Sequence, residues 1–224
     1  MSRTLAAEFL GTALLLAGVV GSGIMAQRLS QGNDALALLA NALATGFLLP
    51  VLILLFAPYS GAHFNPVVSL AESLSGRLEA RRALGYLAAQ TSGAVAGVWL
   101  AHAMFAEPIL QLGAKTRAGG AQWLSEGVAT FGLLLIVLLR RRFAANALPW
   151  VIGAYIAAAY WFTASTSFAN PAVTLARALT NTFAGIRPHD APAFMLAQCA
   201  GALAALGFAR WLDPNPNPND GKTA

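Results

Sequence analysis

Two stretches of this chain carry residues able to do chemistry in a dry environment. One reads Gly61-Ala62-His63-Phe64-Asn65-Pro66-Val67-Val68-Ser69-Leu70-Ala71-Glu72. The other reads Phe168-Ala169-Asn170-Pro171-Ala172-Val173-Thr174-Leu175-Ala176-Arg177. Both run Asn-Pro, a small apolar pair, a hydroxyl, Leu, Ala and a charge. Asn is a favoured helix cap and Pro suits the first helical position, so each copy predicts a short helix that starts at its Asn. The chemistry on offer is hydrogen bonding rather than bond making. Each Asn amide can donate to a passing oxygen. His63 adds an imidazole, and Glu8 and Glu126 add carboxylates within apolar runs. No nucleophile–base set and no metal-ligand spacing accompanies them, which argues against an enzyme and predicts no cofactor and no metal. Cys199 is the single cysteine, so an intramolecular disulfide is excluded.

An isolated Asn-Pro usually marks a turn. Asn215-Pro216 and Asn217-Pro218 are such cases, set in a polar tail with no helical body behind them. Asn65 and Asn170 differ because a shared pattern follows each.

The elements that hold these stretches are apolar. The chain has 224 residues, 57% hydrophobic and 10% charged. Soluble domains carry about 25% charged residues, so the deficit points to an integral membrane protein. Six runs approach the roughly 17–25 residues that a span needs: Leu5–Ala26, Ala35–Ala57, Ala83–Ala106, Gln122–Leu139, Leu148–Ser165 and Pro192–Leu212. The first is too long for a signal-peptide core. The apolar body of each Asn-Pro copy is about two turns, near 11 Å, and cannot cross a bilayer. Each therefore predicts a re-entrant half-helix, over 65–75 and 170–180. The net charge of +5 does not signal nucleic acid, because the basic residues cluster at the ends of apolar runs. Arg3, Arg77, Arg81, Arg82, Arg140–Arg142, Arg210 and Lys222 fall on one side. Arg28, Lys115, Arg117, Arg177 and Arg187 fall on the other. The heavier side predicts cytoplasmic termini.

The two halves repeat. Leu14-Leu15-Leu16 after Glu8 and Thr12 matches Leu133-Leu134-Leu135 after Glu126 and Thr130. The Gln90–Gly97 stretch matches Gln198–Ala205. Each half is span, span, half-helix, span. Three spans per half is odd, so the second copy is inverted, and inverted repeats place a functional site near the midplane. The expected organisation is a first repeat over 1–112, a second over 113–212 and a disordered tail over 213–224. Gly93, Gly97, Gly201 and Ala205 form small-residue faces for close helix packing.

Six spans, inverted halves and two Asn-Pro half-helices resemble the aquaporin, or major intrinsic protein, family. The likeness covers about residues 5–212. Ser60–Val67 is similar to the family's first pore motif, with Val67 where Ala is usual, and Phe168–Ala172 is similar to the second. The resemblance implies an all-α membrane fold with six transmembrane helices and two re-entrant half-helices. It also implies a homotetramer in the lipid of a bacterial plasma membrane, with a channel in each protomer. Asn65, Pro66, Val67, Asn170, Pro171 and Ala172 are then the pore motifs. His63, Gly61, Phe64, Phe168 and Ala169 are expected to line the path. Glu8 and Glu126 are expected to support the re-entrant loops by accepting from their backbone N–H groups. Two helix N-termini meeting at the midplane would disfavour cations.

One departure bears on selectivity. Most of the family has Arg after the second Asn-Pro-Ala, and this chain has Val173. The other filter positions fall on Thr45, Ser167 and a fifth-span residue within Ala157–Tyr160, with Tyr160 the candidate. Arg177, one turn beyond Val173, is either a guard at the outer mouth or a helix-end charge in a loop contact. A filter of Thr, Ser and Val, with Ala as the fifth-span alternative, is wide, neutral and partly apolar, and suits glycerol-like polyols, urea and protonated metalloid acids more than water alone. The Tyr160–Thr174 stretch further resembles a bacterial aquaglyceroporin branch associated with arsenic resistance, which implies trivalent or methylated arsenic acids. The rival readings are a water-selective pore and an ion-coupled secondary transporter. The latter needs ionisable coupling residues, for which only Glu8 and Glu126 stand at span depth.

Overall fold

The computed structural model describes residues 2–214. The tail motifs at Asn215 and Asn217, and the tail from Asn215 onward, lie outside the described residues. The described residues form helices and connecting loops, with no strand among them. In chain order the helices are α1 (Arg3–Leu29), α2 (Asp34–Ser60), α3 (Pro66–Leu74), α4 (Ala80–Phe105), α5 (Gly120–Leu138), α6 (Leu148–Phe162), α7 (Pro171–Arg177) and α8 (Ala191–Leu212).

Six of these are long and two are half-helices. By length and apolar composition, α1, α2, α5 and α8 with its preceding turn qualify as membrane spans. The other two expected spans are α4 and α6. α4 has 26 residues but carries Arg81, Arg82, Gln90 and His102, which lower its apolar content. α6 is fully apolar but only 15 residues long, about 22 Å at 1.5 Å per residue. It stops at Phe162, three residues short of the expected end, because the chain turns there into the lead-in of α7. The half-helices are also shorter than expected. α3 ends at Leu74, and α7 ends at Arg177 rather than near 180.

Packing follows the repeat. α1 lies against α4, and α5 lies against α8. Both contacts are close because glycine removes a side chain at the crossing. A Cβ on Gly93 would sit 2.3 Å from the Phe9 carbonyl oxygen, and one on Gly201 would sit 2.3 Å from that of Gly127. The halves join where α2 crosses α6, at Gly46 and Gly153. On the outside, Leu36, Leu39, Leu43, Phe47, Val51 and Leu54 of α2 form an exposed apolar stripe at helical spacing. Such a stripe suits lipid or protein, not water.

Candidate functional site

Each half-helix starts at an Asn held from two directions. The Asn65 Oδ1 accepts from the Val67 N–H at 3.1 Å, capping α3. The Asn170 Oδ1 accepts from Ala172 N–H at 3.0 Å and Val173 N–H at 3.3 Å, capping α7. The amide nitrogens then cross between the halves. Asn65 Nδ2 donates to the Ala169 carbonyl at 2.8 Å, and Asn170 Nδ2 donates to the Phe64 carbonyl at 2.8 Å. This reciprocal pair fixes the meeting point of the half-helices. An amide nitrogen carries two N–H donors, and the structure uses one on each Asn. Both side chains line a cavity of about 600 Å³, so a second donor remains there for a solute.

The lead-ins are strained in matched fashion. Ala62, Phe64, Ser167 and Ala169 have φ of 52°, 49°, 49° and 49°, a left-handed region that non-glycine residues seldom adopt. Such a backbone costs about 1–3 kcal/mol per residue and persists only where the surroundings enforce it. The enforcing groups are the buried carboxylates. Glu8 accepts from His63 N–H at 3.0 Å and Phe64 N–H at 2.8 Å. It also accepts from the Ser60 hydroxyl at 2.6 Å and Gln90 Nε2 at 2.7 Å. Glu126 accepts from Phe168 N–H at 2.9 Å, Ala169 N–H at 2.8 Å and Gln198 Nε2 at 2.7 Å. Successive N–H groups of this kind form an anion nest, here filled by a side chain.

Gln90 and Gln198 extend the pattern. Each also donates to the half-helix hydroxyl, Gln90 to Ser69 at 2.9 Å and Gln198 to Thr174 at 2.8 Å. The sequence showed them as repeated residues and gave them no task. Their signal was a polar residue at matched points of two spans.

The expected filter positions come together. Thr45, Tyr160, Ser167 and Val173 all line the cavity. The Thr45 and Tyr160 hydroxyls are 3.2 Å apart and hydrogen-bonded. Within the fifth-span bracket, Tyr160 reaches the cavity and Ala157 does not, since the backbone of α2 at Gly46 packs on Ala157. The bulkier Tyr160 stands where Ala was the alternative, and the four residues carry no charge. Ser167 is buried and its hydroxyl has no protein partner among the described residues.

The remaining sites divide. Gly61, His63, Phe64, Phe168 and Ala169 are in the lining, whereas Pro66, Val67, Pro171 and Ala172 are not. The Phe64 ring packs against Gly11 of α1, so its carbonyl carries its contact with Asn170. The His63 Nδ1 is 3.0 Å from the Ser69 hydroxyl, and its ring stands edge-on to Tyr86 at 5.1 Å. Arg177 makes the loop contact that was one of its two expectations. Its Nε donates to the Ala184 carbonyl, a loop contact, and the residue also lines the cavity. Arg117, counted at first only for topology, is buried beside it. Its Nε donates to the Gly185 carbonyl at 3.0 Å and its Nη1 to the Ser165 carbonyl at 2.9 Å. No local sequence signal marked it, because its partners come from a distant loop.

An apolar helical frame with paired half-helices, capped and cross-bonded beside a cavity that both Asn residues line, defines a membrane channel. The chain belongs to the major intrinsic protein family, which it matches over residues 1–142 and 139–222. It is 58% identical over 212 residues to the aquaglyceroporin AqpS of Rhizobium meliloti (strain 1021), covering 95% of this chain and 91% of that one. It is 36% identical over 125 residues to the aquaporin PIP2-7 of Arabidopsis thaliana, covering 56% of this chain and 43% of that protein. Its fold matches the X-ray structure of the aquaglyceroporin from Plasmodium falciparum with a TM-score of 0.77, at 20% identity over 95% of this chain and 97% of the other. The protein is an integral membrane channel and not an enzyme.

Proposed function

We propose that this channel conducts small uncharged solutes passively, together with water. The uncharged ring of Thr45, Tyr160, Ser167 and Val173 is the observation that carries this reading. Val173 presents no charge and no donor where an Arg would present five N–H groups. Solutes of glycerol, urea or protonated metalloid-acid size then exchange a few hydrogen bonds at a time, with the Asn65 and Asn170 amides and loop carbonyls. Apolar Ile53, Leu133 and Ile156 complete the wall and bind nothing tightly. Half-helix N-termini at the Asn pair raise the energy of a cation there. The likeness to AqpS supports the larger-solute reading, and arsenic acids are the metalloid solutes to test first. Glu8 and Glu126 act as loop supports, since backbone and Gln donors occupy them. In the cell we place the chain as a homotetramer in the plasma membrane, with both termini cytoplasmic.

Stopped-flow uptake into proteoliposomes tests this directly. Glycerol, urea and arsenite should enter without saturation at low millimolar concentration, indifferent to a proton or sodium gradient. Gradient-driven accumulation would establish a coupled transporter instead. Water flux with no glycerol flux would establish a water-selective pore.

A further inference from the structure

Arg177 and Arg117 are buried cations without a carboxylate partner among the described residues. Arg177 is 2% exposed and Arg117 is 5% exposed. Neither belongs to an ion pair among the described residues, whereas Arg28, Arg77, Arg140, Arg141 and Arg187 do. The carboxylate of their own half, Glu126, is taken by Phe168 N–H, Ala169 N–H and Gln198. Asp190 accepts from the Arg117 backbone N–H and from the Arg187 side chain, not from the Arg117 guanidinium. Carbonyls and one aromatic face do the compensating. The Arg117 and Arg177 guanidinium carbons lie 5.0 Å and 3.4 Å from the centre of the Phe168 ring. Arg177 spends only its Nε, on the Ala184 carbonyl; its terminal nitrogens have no hydrogen bond among the described residues, and the residue lines the cavity. Lys115, in the loop before α5, adds to the positive field. Burial, then the nearby Arg117 and Arg177, push its ammonium below the usual lysine range.

We propose that the Arg177 guanidinium, backed by Arg117, forms a binding subsite for a small monovalent oxyanion at this end of the channel. The proposal rests on the channel reading and deepens it. A planar guanidinium with two free nitrogens matches two anion oxygens side by side. The site lies on the conduction path, so an occupant obstructs neutral solutes.

The probe is methanesulfonate, which stays anionic at any working pH, with dimethyl sulfone as its uncharged shape control. Ionic strength is held constant with chloride. Saturation-transfer NMR on the detergent-solubilised protein should show saturable binding of methanesulfonate, with half-effect at about 1–10 mM. External methanesulfonate should lower glycerol uptake at least about twofold over the same range, and dimethyl sulfone should not. Arg177→Lys should weaken binding about tenfold and Arg177→Gln should abolish it. If neither variant assembles, the wild-type charge comparison still decides. No saturable binding, equal binding of dimethyl sulfone, or binding without any effect on glycerol flux would each overturn the subsite. Absent glycerol flux would sink the larger-solute reading separately, while the NMR arm still tests Arg177.

Discussion

Glu72 and Arg177 stand the same distance past Asn65 and Asn170, on the equivalent faces of the two half-helices. Both are buried and both line the cavity, yet they are treated differently. Glu72 is clamped by Arg77, through contacts of 2.8 and 2.9 Å, and by Arg140 at 2.7 Å. Its charge is matched where it stands, and it ties α3 to the turn after α5. Arg177 is matched by a carbonyl and a ring, with nitrogens to spare. His63 and Phe168 differ in the same way, one hydrogen-bonding Ser69 and the other carrying two guanidinium faces. Around these, the scaffold of Glu, Gln, hydroxyl and Asn is alike in the two halves. The repeat therefore preserves what holds the half-helices and diverges in how the buried charge is compensated. Glu72 is neutralised by its neighbours and serves as a strut, whereas Arg177 keeps the terminal nitrogens on which the proposed anion subsite rests.

The largest test strikes the shared scaffold. Glu8→Gln and Glu126→Gln each place an amide N–H against a backbone N–H. Losing two bonds to a carboxylate, at about 1.5–3 kcal/mol each, should cost about 3–6 kcal/mol and most of the folded yield. Glu8 accepts four bonds and Glu126 three, so Glu8→Gln should lower the thermal midpoint more. Equal losses, read by thermal unfolding in detergent, would mean that the extra Ser60 contact adds nothing.

A second test sharpens the contrast in charge. Val173→Arg puts a guanidinium one turn from Arg177, which repels it toward the path. The glycerol-to-water permeability ratio should fall about tenfold, equivalent to about 1.4 kcal/mol at the barrier. Val68→Arg is its counterpart in α3, one turn from Glu72, which can pair with it. That variant should change the ratio less. Equal effects in matched proteoliposomes would show that Glu72 and Arg177 do not set the two ends apart. No effect from well-folded Val173→Arg would remove position 173 from the filter.

The smallest effect concerns thiols. Cys199 is half-buried on α8 and absent from the cavity lining, so mercurials should alter wild-type flux by less than about twofold. Ser167→Cys should become strongly sensitive, since its side chain stands in the lining without a protein partner. Wild-type block that disappears in Cys199→Ser would place Cys199 beside the path.

Much of the frame could be read from local signals. The apolar runs, the two Asn-Pro starts and the placement of Glu8 and Glu126 are properties of neighbouring residues, and their repetition supplied the inverted topology. The filter was harder. Helix periodicity names a face but not the angle at which a helix meets its neighbour, so the fifth-span bracket held several residues. The crossing at Gly46 and Gly153 turned Ala157 into the packing and Tyr160 onto Thr45. Gln90 and Gln198 were visible as repeats, but their task was not, because they reach the carboxylates across 82 and 72 residues of chain.

The sequence by itself determined a multi-span membrane frame with two capped half-helices, because capping and apolar length are encoded within short windows; that the frame is a channel came from the resemblance of its two Asn-Pro motifs to the family's. Only the tertiary structure decided which charges are spent and which are free. Glu72 acquires Arg140 from 68 residues away, while among the described residues Arg177 finds the Ala184 carbonyl and the Phe168 ring. Charge pairing is a matter of a few ångströms in space, and no spacing along the chain reports it.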